Sequence, residues 1–169
     1  IVIYVGGVWR LNSQYRESRN LFLNKDRNFL NKIIDIEKFK KLDDRYIITE
    51  ICKNIKLKYE ITEEFCNIYY KSFTMNLTFN YNKIKRLAIF IDSKLFDKND
   101  EEKFILFIEN LEMNKNWNFP MNDFKLFLHK ILNENVKEFN FEDENVSIYF
   151  GIVNGIGREL IFIMIDLNA

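Results

Sequence analysis

The sequence has little of what metal sites and disulfide frameworks require. Its 169 residues include one histidine and two cysteines, and the absence of a Cys-x-x-Cys pair argues against a zinc site. Cys52 and Cys66 both fall on apolar faces of segments whose patterns predict helices. We therefore expect two buried free thiols, which are typical of a reducing compartment, and a cytoplasmic location. We predict no metal and no cofactor.

The chain also lacks an excess of either charge and any long apolar run. The 25 Lys and Arg residues balance the 25 Asp and Glu residues, so nothing attracts the whole molecule to nucleic acid or to an anionic membrane. No run approaches the roughly 18 apolar residues that cross a bilayer, so we predict no membrane association. The opening segment, residues 1–5, is too short for the apolar part of a signal peptide, and without an initiator methionine we expect residues upstream.

Glycine and proline are scarce too, with five residues and one residue respectively. Isoleucine, asparagine, lysine and phenylalanine are abundant instead, a bias that an AT-rich genome produces, so we draw no function from it. With 47% hydrophobic residues, a chain of this length can bury a substantial core, and we expect one domain over residues 1–169.

The clearest pattern present is a strict alternation from Phe73 to Tyr81. Odd-numbered positions are apolar and even-numbered positions are Thr or Asn, which predicts a strand with one dry and one wet face. The apolar segment that follows, ending at Asp92, predicts the second strand of a hairpin. Two more hairpins are predicted, over residues 1–11 about Gly6-Gly7 and over residues 146–167 about a loop containing Gly155 and Gly157.

Helical spacing predicts about five helices between these hairpins. They begin near Ser13, at Asp43 or Asp44, at Thr62 and at Asn99, with a last one over residues 122–134. The predicted fold class is α+β: an antiparallel sheet of about six strands in three hairpins (1–11, 73–92, 146–167), with the helices packed on it. Because residues 160–165 are continuously apolar, we expect that strand to lie inside the sheet with both faces covered.

One tripeptide offers a catalytic hypothesis. Asp92-Ser93-Lys94 ends an apolar strand, and metal-dependent nucleases use an acid, one spacer and a lysine in such a place. The preceding strand has asparagines where a second carboxylate is needed, but Asp166 could supply one if it lies at the same sheet edge. A metal-dependent nuclease or phosphodiesterase using Asp92, Lys94 and Asp166 is therefore one alternative. We expect the single histidine, His129, to be exposed and without a catalytic role.

Basic residues beside aromatic ones indicate a second alternative, a nucleic-acid-binding module. The N-terminal segment combines them in Trp9, Arg10, Arg16 and Arg19, and Lys83, Lys85 and Arg86 lie at a predicted hairpin tip. The net charge of zero counts against this alternative, so nucleic acid is not the partner we expect.

Two acidic groups support the hypothesis that we prefer. They comprise Asp97, Asp100, Glu101 and Glu102, and Glu142, Asp143 and Glu144. Acids at a helix start stabilise the first turn without any further role. They also suit a protein that blocks a basic partner. Since no triad, metal cluster or phosphate loop is evident, we predict a small soluble protein-binding protein without catalysis. It would neutralise another protein, such as a toxin or a defence effector, as immunity proteins and anti-defence inhibitors do.

Overall fold

The computed structural model describes residues 42–115, 117–133, 140–142, 146–155 and 158–167. In chain order the elements are α1 (Asp44–Ile55), β1 (Lys58–Ile61), β2 (Phe65–Tyr69), β3 (Phe73–Asn80), β4 (Lys83–Asp92), α2 (Lys98–Lys115), α3 (Met121–Asn133), β5 (Asn140–Glu142), β6 (Val146–Gly155) and β7 (Arg158–Leu167). The predicted α+β class is confirmed.

The strands form one antiparallel sheet in the order β1-β2-β3-β4-β7-β6-β5. The predicted hairpins over 73–92 and 146–167 are both present, and β4 pairs with β7 to join them. Strand β7 therefore lies inside the sheet, and its residues 161–167 are buried on both faces. This confirms the interior position that its continuous apolar sequence predicts.

One face of the sheet, the helix-covered face, carries the apolar core. The odd-numbered residues of β3 from Phe73 to Phe79 are buried there, as the alternation predicts. Phe104 of α2 lies 5.5 Å from Phe73, ring centre to ring centre, and Phe127 of α3 lies 5.2 Å from Phe150 of β6. Each such ring adds roughly 2–3 kcal/mol to the stability by leaving water. The two helices are thus held to the sheet by aromatic contacts.

The opposite face is more polar than the first, but its centre is buried as well. Phe90 and Phe162 stack across β4 and β7 at 5.0 Å. The predicted wet face of β3 is wrong at Asn76, which is 2% exposed and donates a 2.7 Å hydrogen bond to Asn67 of β2. Asn67 and Asn76 are paired in register, so each compensates part of the other's desolvation.

The alternation also fails at its end, at Tyr81. Rather than joining the dry face, Tyr81 is 89% exposed in the β3–β4 turn, with a backbone φ of 57°. That left-handed conformation reverses the chain. Asp44 holds the turn: its backbone N–H donates to the carbonyl of Asn82, and its carboxylate accepts from the N–H of Ile84.

The predicted helix from Thr62 to about Lys71 is wrong. This segment contains the β1–β2 turn and strand β2. The Thr62 hydroxyl accepts from the backbone N–H of Glu64 and of Phe65, which closes the turn. Cys66 and Ile68 point to the core while Asn67 points away, which is the period of two that is typical of a strand. Glu63 and Glu64 after Thr62 resemble a helix start, but the segment that follows forms a strand.

The element counts also differ from the prediction. The described residues contain seven strands and three helices, one helix fewer than the four predicted in this part of the chain, because the segment after Thr62 forms β2. The additional strands are β1, β2 and the short β5. The predicted hairpin over residues 1–11 and the helix from Ser13 lie outside the described residues. None of the three helices in the described residues combines the length with the apolar character of a membrane-spanning segment.

Candidate protein-binding groove

A groove lies between α2, α3 and the turn that leads from β4 into α2. Its volume is about 750 Å³, which is in the range of sites that hold small ligands or anchoring side chains. We call it the α2–α3 groove, and its lining residues are Ser93, Phe96, Asp97, Lys98, Glu101, Glu102, Ile105, Leu106, Glu109, Lys125 and His129.

The start of α2 is held by two aspartates, which positions one end of the groove. Asp97 accepts a 2.9 Å hydrogen bond from the backbone N–H of Asp100, and Asp100 accepts in return from the N–H of Asp97 at 3.4 Å. These reciprocal hydrogen bonds, between residues three positions apart, cap the N-terminus of α2. The predicted cap at Asn99, with Glu102 three residues on, is therefore placed two residues too late.

Asp100 belongs to the interior. It is 0% exposed, and the Ser72 hydroxyl donates to its Oδ2 at 2.7 Å. The Lys71 ammonium lies 3.4 Å from both Asp100 Oδ1 and Asp97 Oδ2. The hydrogen bond from the Asp100 N–H lowers the pKa of Asp97 below its usual value, and the positive charge of Lys71 lowers it further. Asp100 and Asp97 therefore anchor α2 to the β2–β3 turn, and only Asp97 also faces the groove.

The acidic wall of the groove consists of Glu101, Glu102 and Glu109. Glu109 pairs with Lys125 of α3 at 2.5 Å, and both side chains are partly exposed. Within the described residues, the carboxylates of Glu101 and Glu102 form no ion pair, and Glu102 is exposed. Counting Asp97, four carboxylates face two lysines in the lining. The groove is therefore acidic in a protein whose net charge is zero.

Apolar side chains lie beside this acidic wall. Phe96 and Ile105 are partly buried, while Leu106 is 45% exposed. Further along the same side of α2, Met113 is 82% exposed. We call the line of Glu102, Leu106, Glu109 and Met113 the α2 stripe. Carboxylates beside exposed apolar groups suit contact with a protein better than binding of a small polar solute.

Part of this site is predictable from the sequence. Asp97, Glu101 and Glu102 belong to the first predicted acidic group, and the predicted exposure of His129 is confirmed. Leu106, Glu109 and Lys125 were not predicted, although one signal was available. Apolar residues at 106 and 113 lie outside the stripe formed by Phe104, Phe107, Ile108 and Leu111, so α2 carries apolar groups on two sides.

The second acidic group is described only in part. Glu142 is the last residue of strand β5, and Asp143 and Glu144 lie outside the described residues. Its predicted role in partner binding stays a prediction. The same holds for Trp9, Arg10, Arg16 and Arg19, which also lie outside. At the β3–β4 hairpin, Lys83 and Lys85 are exposed.

The residues of the nuclease hypothesis are not brought together. Asp92 lies opposite Leu160 and Asp166 lies opposite Arg86, at the two ends of the β4–β7 pairing. Six residues of strand separate the two positions, which is about 20 Å. Asp92 accepts from the backbone N–H of Lys94, and Asp166 pairs with Arg86 at 2.5 Å. Asp92 and Asp166 therefore cannot share one cation in this fold.

Among the described residues, no three His, Cys, Asp or Glu side chains converge as metal ligands would. Comparisons of the chain with protein-family models, with curated proteins and with solved structures found no match. Function is therefore inferred from the chemistry of the groove itself.

Proposed function

We propose that this protein binds and neutralises another protein, as an inhibitor or immunity protein does, and that it acts without catalysis through the α2–α3 groove. The observation that carries the proposal is the position of Glu101 and Glu102, two carboxylates without an ion pair among the described residues, beside the half-exposed Leu106. Such a surface fits a partner that presents lysine or arginine next to an apolar side chain.

The groove can provide both fast association with a partner and slow dissociation from it. Its carboxylates attract a basic surface over a distance of about 10 Å at ordinary ionic strength and so raise the association rate. Covering Leu106 and the edges of Phe96 and Ile105 removes apolar area from water, which slows dissociation. An inhibitor needs both properties, since it must reach its target quickly and remain bound.

The cysteines support a cytoplasmic setting for this role. Cys52 and Cys66 are both buried and free. Burial raises the pKa of the Cys52 thiol to about 12, so it stays protonated and unreactive. Free thiols are usual in reducing compartments, where disulfides are rare.

The proposal is tested by capture with matched charge reversals. The double variant Glu101→Lys/Glu102→Lys changes the groove. Its control, Glu63→Lys/Glu64→Lys, makes the same change at the exposed β1–β2 turn. The β1–β2 turn is hydrogen-bonded to Phe79, at the far end of β3, whereas α2 contacts Phe73 at the start of that strand. Six residues of strand separate Phe79 from Phe73, so the turn lies about 20 Å from the groove end of β3.

We expect the wild type and the control to retain one stoichiometric protein partner from native-host extract, and the groove variant to lose it. The captured partner should then lose its own activity when mixed at equimolar ratio with the wild type. A partner retained equally by the groove variant, or one whose activity is unaffected, would contradict the proposal.

A further inference from the structure

We infer that the segment bound by this protein is a basic amphipathic helix of the partner, lying along the α2 stripe. This inference rests on the proposed function and specifies what the groove recognises. It follows from the spacing of the stripe, from its apolar anchors and from its charges.

The stripe has the geometry of a helix-packing seam. Its members Glu102, Leu106, Glu109 and Met113 follow one another at intervals of four, three and four residues, the spacing at which side chains line up along one side of a helix. The line runs from Glu102 to Met113, eleven steps along the chain, or about 16 Å of helix. Helix α3, through Lys125 and His129, forms the other wall of the groove. A second helix can therefore lie between two ridges.

The apolar anchors fit a helix better than an extended strand. Leu106 and Met113 are seven residues apart, which places them about 10.5 Å apart along α2. A partner helix repeats a side chain on one face over the same interval, at positions i and i+7. Same-face residues of a strand recur every 6.6–6.8 Å or so, which does not match that interval. Strand addition also needs free backbone groups, and those inside α2 are bonded within the helix.

The charges of the groove indicate that the bound segment of the partner is positively charged. Glu102 lies before Leu106 on the stripe, and Glu109 lies after it. Glu101 adds a carboxylate at the same end as Glu102. Because Lys125 already pairs with Glu109, a partner cation gains most at Glu101 and Glu102. A helix with leucines on one face and lysines or arginines beside them satisfies this pattern.

Three synthetic probes test the inference on the full chain. The first is a fluorescein-labelled 15-residue peptide with leucines at alternating intervals of four and three, and with lysines flanking them. The second has the same composition in an order that spreads the leucines around the helix. The third has glutamate in place of every lysine. Binding is followed by fluorescence anisotropy, and helix formation by circular dichroism of the mixture.

We expect saturable binding of the first peptide with a gain in helicity, and at least about tenfold weaker binding of the other two. Leu106→Ala and Glu102→Lys should each weaken binding by roughly fivefold or more. The control Tyr81→Ala removes a side chain that is 89% exposed in the β3–β4 turn, and should leave the affinity unchanged. All three changes are at exposed positions, and the far-ultraviolet spectrum verifies the fold.

Equal binding of the ordered and scrambled peptides, or no binding of either, would overturn the inference. If the Glu101→Lys/Glu102→Lys variant still loses the host partner in that case, the proposed function stands and the bound element is not a helix of this kind. If that variant keeps the host partner, the proposed function fails as well.

Discussion

The carboxylate of Asp44, at the start of α1, is paired with the ammonium of Lys115, at the end of α2 and 71 residues away in the sequence. Asp44 is 1% exposed and the Lys115 side chain is 19% exposed. The other carboxylate oxygen of Asp44 accepts from the N–H of Ile84 at 2.7 Å. One buried acid thus joins a helix start, a helix end and a hairpin turn.

Removing the cation from this pair should destabilise the fold. In Lys115→Met the Asp44 carboxylate stays buried without its counter-ion, and we expect the free energy of unfolding to fall by about 2 kcal/mol. The matched control is Lys125→Met, which breaks the exposed pair with Glu109 and should change stability by less than about 0.5 kcal/mol. Urea unfolding followed by tryptophan fluorescence measures both. Equal losses in the two variants would show that the buried Asp44 pair contributes no more to stability than the exposed Glu109 pair.

Local patterns predicted the elements whose sequences show a single clear helical or strand periodicity. Helix α1 begins after Asp43, whose side chain accepts from the N–H of Arg45, as the sequence leads one to expect. The segment that forms β2 was predicted as a helix because Thr62, Glu63 and Glu64 resemble a helix start. Pairing with β1 and β3 overrides that local signal, and pairing between distant segments is not visible in one sequence.

The same limit applies to the candidate site. The acids of α2 could be singled out from the sequence, but Glu109 and Lys125 meet only because α2 and α3 pack side by side on the sheet. Asp166 is buried and pairs with Arg86. This pairing could not be predicted, since it depends on the register between β4 and β7, whose paired residues here are 80 positions apart in the sequence.

The Arg86–Asp166 pair offers a second test of a buried charge. In Arg86→Met the Asp166 side chain, 8% exposed, loses its cation, and we expect unfolding to require about 1–3 kcal/mol less. Adding Asp166→Asn to that variant removes the carboxylate charge and should restore part of the loss. Lys85→Met, at the adjacent exposed position of β4, serves as the control and should match the wild type in urea unfolding. A double variant less stable than Arg86→Met would contradict the ion-pair explanation.

The Asp97–Asp100 cap predicts a pH dependence at low pH. Because the pKa of Asp97 is lowered in the folded protein, its contribution to stability is present above the unfolded value of 3.8 and is lost as the pH falls through the folded value. Asp97→Ala should therefore lower the melting temperature by a few degrees at pH 7. Melting curves from pH 7 to pH 2.5 should show the two proteins converging at the acidic end. A difference that stays constant to pH 2.5 would argue that the Asp97 carboxylate does not stabilise α2.

The two buried thiols predict a loss of stability at alkaline pH. Burial raises the pKa of Cys52 to about 12, and burial together with Cys52 raises the pKa of Cys66 above its usual 9.0. The unfolded chain ionises these thiols near pH 9 and the folded one does not. The stability is therefore complete below pH 9 and decreases as the pH rises, by about 1.4 kcal/mol per thiol between pH 8 and pH 10.

Cys52→Ala removes one of the two groups and should lose only about half as much stability as the wild type over that interval. Urea unfolding at pH 8 and pH 10 measures the difference. The interval stops at pH 10 because the raised pKa values of Tyr59 and Tyr69 add similar effects above it. The comparison within each protein is independent of any cavity that the alanine leaves, since the cavity lowers stability at both pH values. If both proteins lose the same amount, Cys52 is not the buried, protonated thiol that this structure shows.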